Sequence, residues 1–189
     1  MRLRPLLSIL RPPAVLQHRG GRYYLGQSHV TQSSVYTLVQ DTLVGQPFFV
    51  PSWHTYDRIA VNVETVQSGR SVRLGIYSHD YDNAVPGALA LDAGTVSLTA
   101  AGKQELTISQ GLCPGWYWLG CLSDATGTAR LVGARNTNAG NPLLGYDDAD
   151  STDFHRYVTR PVTFGSLPDP FGTIGSYATD ELPRVWLRA

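Results

Sequence analysis

Long apolar runs are missing from this 189-residue chain. No stretch approaches the roughly 20 residues a helix needs to cross a bilayer, so membrane insertion is not expected. Lysine is nearly missing too: Lys103 stands alone, and arginine carries the positive charge. The net charge is zero, which supplies no overall pull toward nucleic acid, membrane surfaces or acidic partners. Cysteine is scarce. Cys113 and Cys121 flank one strand candidate, and at roughly 3.3 Å per residue extended chain holds them well beyond the about 6 Å between bridged Cα atoms. Two free, buried thiols are expected, in keeping with folding in a reducing cytoplasm.

Patterns that carry chemistry are absent as well. There is no Gly-x-Ser-x-Gly, and no Ser/His/Asp order stands out. The histidines (His18, His29, His54, His79, His155) lack the i, i+4 spacing of a zinc site. The acid-rich runs at Asp80/Asp82/Asn83 and Asp147/Asp148/Asp150/Asp153 offer hard oxygens without the spaced Asp and Gly of an EF-hand loop. Paired carboxylates do not single out a glycosidase, because a sandwich with 15 acids places some pair within about 5–10 Å by chance. No enzyme, no metal and no cofactor are expected.

What the chain does have is the punctuation of an all-β protein: 19 glycines and 12 prolines within a 42% hydrophobic composition. The stretch from Ser71 to Leu122 shows the pattern best. Val72, Leu74 and Ile76 alternate with Arg73, Gly75 and Tyr77, the period-2 signature of a half-buried strand. The polar run His79 to Asn83 with Pro86-Gly87 then turns the chain. Leu89 to Leu91, Thr95 to Leu98 and Glu105 to Ile108 are separate short strand candidates, and Trp116 to Leu122 is a dense aromatic and aliphatic one. Trp116 and Trp118 share one face of that strand and Tyr117 takes the other, so at least one face is core.

Further strands are expected over Val35 to Val44, Gln46 to Val50, Tyr56 to Val66, Arg130 to Gly133, Arg156 to Thr159 and Pro183 to Leu187, with no helix. Asn136 to Asp153 and residues 165 to 182 read as long loops. Strands this short, at near-regular spacing, predict an antiparallel β-sandwich of about eight strands, jelly-roll-like, in a domain spanning 35–189.

Residues 1–34 read as an extended anchoring arm. They hold five arginines and no acid, and the first acid is Asp41. Pro5, Pro12 and Pro13 interrupt the apolar start, against either a secretory or a mitochondrial leader. The leucines are too many for a solvated tail. Arg2, Arg4, Leu6, Leu7, Leu10, Arg11, Arg19 and Arg22 are therefore expected to dock on a partner subunit. The folded part shows no basic stripe, and no nucleic acid is expected.

Exposed rings and planar polar groups suit a glycan, since sugar C–H faces stack on rings while hydroxyls need donors and acceptors. Trp53, His54 and Tyr56 in one loop, and Tyr77, His79, Tyr81 and Asn83 around another, have that composition. Equally, these rings could pack under the sandwich.

The ordered series Pro-Phe-Phe-Val-Pro, Tyr-Asp-Arg-Ile-Ala-Val-Asn-Val, Val-Arg-Leu-Gly-Ile-Tyr, Pro-Gly-Ala-Leu, Asp-Ala-Gly-Thr-Val and Pro-Gly-Trp-Tyr-Trp-Leu, spanning Gln46 to Leu122, resembles β-sandwich modules of tailed-bacteriophage virion proteins. Such modules occur in tail fibres, spikes and head appendages, commonly as trimers, and share no active site. The resemblance implies a structural virion protein assembled in the host bacterial cytoplasm, as a short tail-fibre or spike subunit anchored by its arm. The partners it implies are tail or capsid subunits and, through trimerisation, copies of the same chain. A capsid decoration or head-fibre protein, or a carbohydrate-binding module engaging a host surface glycan in attachment, are the alternatives.

Overall fold

In the computed structural model, the described residues are 17–25, 32–135, 144, 155–179 and 181–189, and they form strands and loops without a helix. Eight strands make the frame: β2 (Gln32–Thr37), β3 (Thr42–Val50), β4 (His54–Thr65), β5 (Ser71–Asp80), β6 (Val85–Ser97), β7 (Gly102–Leu112), β8 (Gly115–Ser123) and β9 (Arg130–Arg135). They pair antiparallel in the order β2-β9-β4-β7 in one sheet and β3-β8-β5-β6 in the other. All but one of the connections between these strands cross from one sheet to the other, the double Greek key of a jelly roll. The expected all-β sandwich is therefore present.

Alternation explains the core. Val72, Leu74 and Ile76 of β5, Leu119 and Cys121 of β8, and Val44, Phe48 and Val50 of β3 point inward. They meet Ile59, Val61 and Val63 of β4 and Leu131 of β9. Each such side chain contributes about 1.5–3 kcal/mol on burial. Gln46 also faces this core, and its Nε2 donates to the Val185 carbonyl at 3.0 Å, tying the two sheets together.

Five further strands complete the sheets: β1 (Tyr23–Leu25), β10 (Tyr157–Pro161), β11 (Ser176–Ala178), β12 (Leu182–Pro183) and β13 (Trp186–Arg188). β10 and β11 extend the second sheet beyond β3. In the first sheet, β9 stays beside β4 only from Val63 to Thr65 before the two diverge. The C-terminal residues fill that wedge, β12 pairing with β9 and β13 with β4. Space is tight where they enter. A Cβ on Gly133 would lie 2.9 Å from Tyr36 N and 3.0 Å from Leu182 O, so only glycine lets both neighbours close in.

Several expected boundaries shift. Val35 to Val44 is not one strand: the chain turns at Asp41, which sits at φ 55°, a left-handed conformation that Asp tolerates. Its amide donates to the Ser123 carbonyl at 2.8 Å, and its carboxylate accepts the Phe164 amide at 2.7 Å. Leu89 to Leu91 and Thr95 to Leu98 belong to the single strand β6, whose register slips at bulges rather than breaking. Pro86 and Gly87 lie inside that strand, which is tolerable because β6 is a sheet edge.

The segment before residue 35 is not all outside the domain. Tyr23, Tyr24 and Leu25 pair with Arg188, Leu187 and Trp186, covering the edge of β13 that β4 leaves bare. The Ala189 amide donates to the Arg22 carbonyl at 3.0 Å, and the Gly21 amide donates to the Ala189 carbonyl. His18 stacks on Tyr24 at 3.8 Å and is hydrogen-bonded to the Tyr56 hydroxyl at 2.6 Å. β2 likewise begins at Gln32, ahead of the expected domain boundary.

Candidate functional site

The outward face of the second sheet is built for close cover at one end and is open at the other. Gly45, Gly120 and Gly75 lie side by side on β3, β8 and β5. Their missing side chains leave a shallow trough across three strands. Phe171 lies over Gly45, the Tyr77 ring over Gly120 and Leu167 over Gly75. With Leu43, Trp118, Leu122 and Val158 they form a second apolar cluster, which Val162, Phe164 and Ile174 complete.

The chain carrying that cover is clamped from several remote points. The Val162 amide donates to the Asp41 carbonyl and the Phe171 amide to the Gly87 carbonyl, at 2.8 and 2.9 Å. Asp92 accepts the Leu167 amide at 3.3 Å while Arg73 Nε donates to both of its oxygens at 2.8 and 2.9 Å. Asp169 returns the contact by accepting the Leu89 amide at 2.9 Å.

Past the cover, the same face opens into a recess of about 310 Å³ bordered by Pro47, His79, Trp116, Trp118 and Tyr177. Ala84, Tyr117 and Leu144 complete its rim. Cross-strand register brings these residues together: Pro47 opposes Trp118, Phe49 opposes Trp116, and Trp118 opposes Tyr77. Phe49 and Trp116 sit 5.0 Å apart at a tilt of 52°. Trp118 Nε1 donates to His79 Nδ1 at 2.9 Å. That bond makes Nδ1 the acceptor and leaves the proton of the neutral ring on Nε2. Burial holds the His79 imidazole below its ordinary pKa against the opposing pull of Asp80. Tyr81 packs edge-on against His79 at 4.6 Å, and its hydroxyl accepts the Trp116 amide at 3.2 Å.

The residues expected to bind a glycan divide sharply. Tyr56 and Tyr77 are fully buried and are not surface platforms. Tyr56 points inward among Phe48, His18 and His54, while Tyr77 lies under Phe171. Burial raises the pKa of both phenols, keeping them neutral. Trp53 is 65% exposed and Tyr81 69%. Trp53 leans toward Gly111 at the end of β7, and His54 is half-buried against Tyr56. Of the expected set, only His79 lines the recess, with Tyr81 behind it. Asn83 is spent on its own turn, its Nδ2 donating to Asp80 at 2.8 Å. The Asp80 carboxylate also accepts the amides of Asp82 and Asn83.

Pro47, Trp116 and Tyr177 enter the site without having been anticipated there. Their signal is cross-strand register, which a linear reading does not display. Of the arm residues, Arg2, Arg4, Leu6, Leu7, Leu10 and Arg11 lie outside the described residues, while Arg19 and Arg22 are exposed beside β1. Cys121 is buried as expected, but Cys113 is exposed, and neither is bridged.

Comparison with protein-family models, with curated proteins and with solved structures finds no match for this chain. Its jelly-roll assignment rests on its own strand order, and the site on its own geometry.

Proposed function

We propose that this chain is a non-enzymatic structural protein of a tailed-bacteriophage virion, a short tail-fibre or spike subunit. The observation that supports this reading is the jelly-roll connectivity, because the series resembling phage modules falls on its strands in order. Pro47 to Val50 lies on β3, Tyr56 to Val63 on β4, Val72 to Tyr77 on β5, Pro86 to Val96 on β6 and Gly115 to Leu119 on β8. In this reading the sandwich projects from the particle and works as a homotrimer. Tyr23 to Leu25 belong to the protein's own sheet, and His18, Gly21 and Arg22 are tied to the same domain, so the docking role falls mainly to Arg2, Arg4, Leu6, Leu7, Leu10 and Arg11. Burying the leucines and pairing the arginines against another virion protein would offset the cost of ordering them, and many copies acting together would multiply the effect.

The test is a cryo-electron microscopy map of purified particles that carry the chain. Density for residues 2–11 against a different tail subunit, beneath a three-fold sandwich, supports the reading. Density on the capsid shell would move the protein to a decoration role. Absence of the chain from purified virions by mass spectrometry would overturn it.

A further inference from the structure

The recess on the second sheet adjoins the covered glycine trough, sharing Trp118 and Leu144 with that cluster. Its chemistry is unlike a plain apolar gap. Trp116 and Tyr177 stand half-open at its border, and Tyr177 is 44% exposed. Pro47 and the buried Trp118 ring border it as well. His79 adds a directed donor, because the Trp118 bond occupies Nδ1 and Nε2 has no partner among the described residues.

We propose that this recess binds one neutral sugar ring of a glycan, stacked on Trp116 and hydrogen-bonded through His79 Nε2–H. A sugar presents an apolar C–H face beside hydroxyl oxygens, which matches ring planes set next to a single fixed N–H. An aliphatic chain would cover that donor without accepting from it, which is unfavourable for a buried polar group. No lysine or arginine borders the recess among the described residues. Asp80 and Asp82 stand just beyond His79 on the same hairpin, so a sugar acid meets like charge and no counter-charge. A quaternary ammonium would suit the rings alone, but it would face the positive end of the imidazole N–H. At about 310 Å³ the recess sits at the lower end of the roughly 300–1,000 Å³ usual for small-ligand sites, which fits a single ring. The inference holds wherever the chain sits on a particle, and even if it sits on none.

The experiment uses the full chain and saturation-transfer NMR. The neutral probes are methyl glycosides of glucose, galactose, mannose and N-acetylglucosamine. Glucuronic acid, N-acetylneuraminic acid and choline are run in parallel. At least one neutral glycoside should bind, with a dissociation constant on the order of 1 mM. Trp116→Ala and Tyr177→Ala should each weaken it about tenfold or more with the melting temperature nearly unchanged, since neither ring is a fully buried core residue. Trp53→Ala, an exposed ring outside the recess, should leave binding intact. Failure of all four neutral glycosides, tighter binding of a charged probe, or full binding by Trp116→Ala would overturn the proposal.

Discussion

The Trp118 indole N–H points at His79 Nδ1 from 2.9 Å away, on the neighbouring strand of the same sheet face. A buried ring and a half-buried ring thus fix each other: the indole donor is satisfied and the imidazole is held in one tautomer. Trp118→Phe should keep most of the packing and release that choice. Long-range ¹H–¹⁵N NMR of the wild type should show the neutral His79 protonated on Nε2 only. The variant should show averaging between both nitrogens, and no change would mean the bond does not govern the ring.

The glycine trough makes a steric prediction. A methyl group on Gly75 would collide with Leu167 and come within 2.6 Å of the Leu91 carbonyl, which cannot swing aside. Overpacking of this kind costs about 1–3 kcal/mol, so Gly75→Ala should lower Tm by roughly 2–12 °C at about 2–4 °C per kcal/mol for a chain this size. Gly111→Ala meets only ordinary contact, with Trp53 atoms 3.8 and 3.9 Å away, and should be close to neutral. Differential scanning calorimetry of the pair checks the contrast.

Much of the frame was legible along the chain. The alternation in β5 marks its core face from sequence alone, whereas β8 is apolar on both faces and both are covered, Leu119 and Cys121 in one cluster and Trp118 and Leu122 in the other. The break at Asp41 was hidden because the groups that hold it, Val162 and Phe164, arrive from a distant loop. Tyr56 and Tyr77 looked like loop aromatics, yet each lies on a strand whose cover comes from far along the chain: His18 for one, Phe171 for the other. Glycines inside strands signal close backbone approach, and Gly45, Gly75 and Gly120 carry that signal, but what approaches them comes from residues 158–171 and from Tyr77, far from at least two of them in sequence. His79 and Tyr81 stood out by composition. Pro47, Trp116 and Tyr177 joined them only through strand register.

Residues 17–25 contribute to the domain itself. A chain lacking residues 1–25 should melt lower than one lacking only residues 1–16, because it also loses β1 and the cover that His18 and Tyr24 give Tyr56. A deficit of about 2 kcal/mol would appear as roughly 4–8 °C in Tm. Equal melting of the two truncations would show β1 to be energetically idle.

Acid should destabilise the protein in a defined window. Burial, reinforced by the neighbouring His54, lowers the His18 pKa from 6.5 to about 4. Below pH 6.5 the unfolded chain takes up a proton that the folded chain refuses, so stability falls as pH drops from about 6.5 to 4. His18 is only partly buried, and solvent screening reduces the effect to on the order of 1 kcal/mol. Thermal melts between pH 7 and 4.5 should show a slope that His18→Gln flattens. Carboxylates such as Asp57 and Glu105, held below their usual range first by hydrogen bonds from Arg188 and Tyr23, act only at lower pH.

The thiols should separate cleanly by reactivity. Cys113 is exposed, whereas Cys121 is buried and its pKa is pushed up to about 12. The thiolate is the reactive form, so a maleimide should label one site in the native protein and two in denaturant. Native labelling of both would mean that the core between the sheets opens on the labelling timescale.

The wedge formed by β12 and β13 sets the order in which the molecule can be finished. Arg188 grips Asp57 through a two-point contact between residues 131 apart in the chain. β1 has no partner in the described sheet until β13 arrives. Closure of the first sheet must therefore wait until β12 and β13 have been made, well after β4 and β9, a topology dominated by distant pairings that folds slowly. While a nascent chain waits, the facing edges of β4 and β9 stay bare and open to strands of other chains. Crowded synthesis is thus the moment of greatest risk, and a chain ending before Leu182 would never leave it.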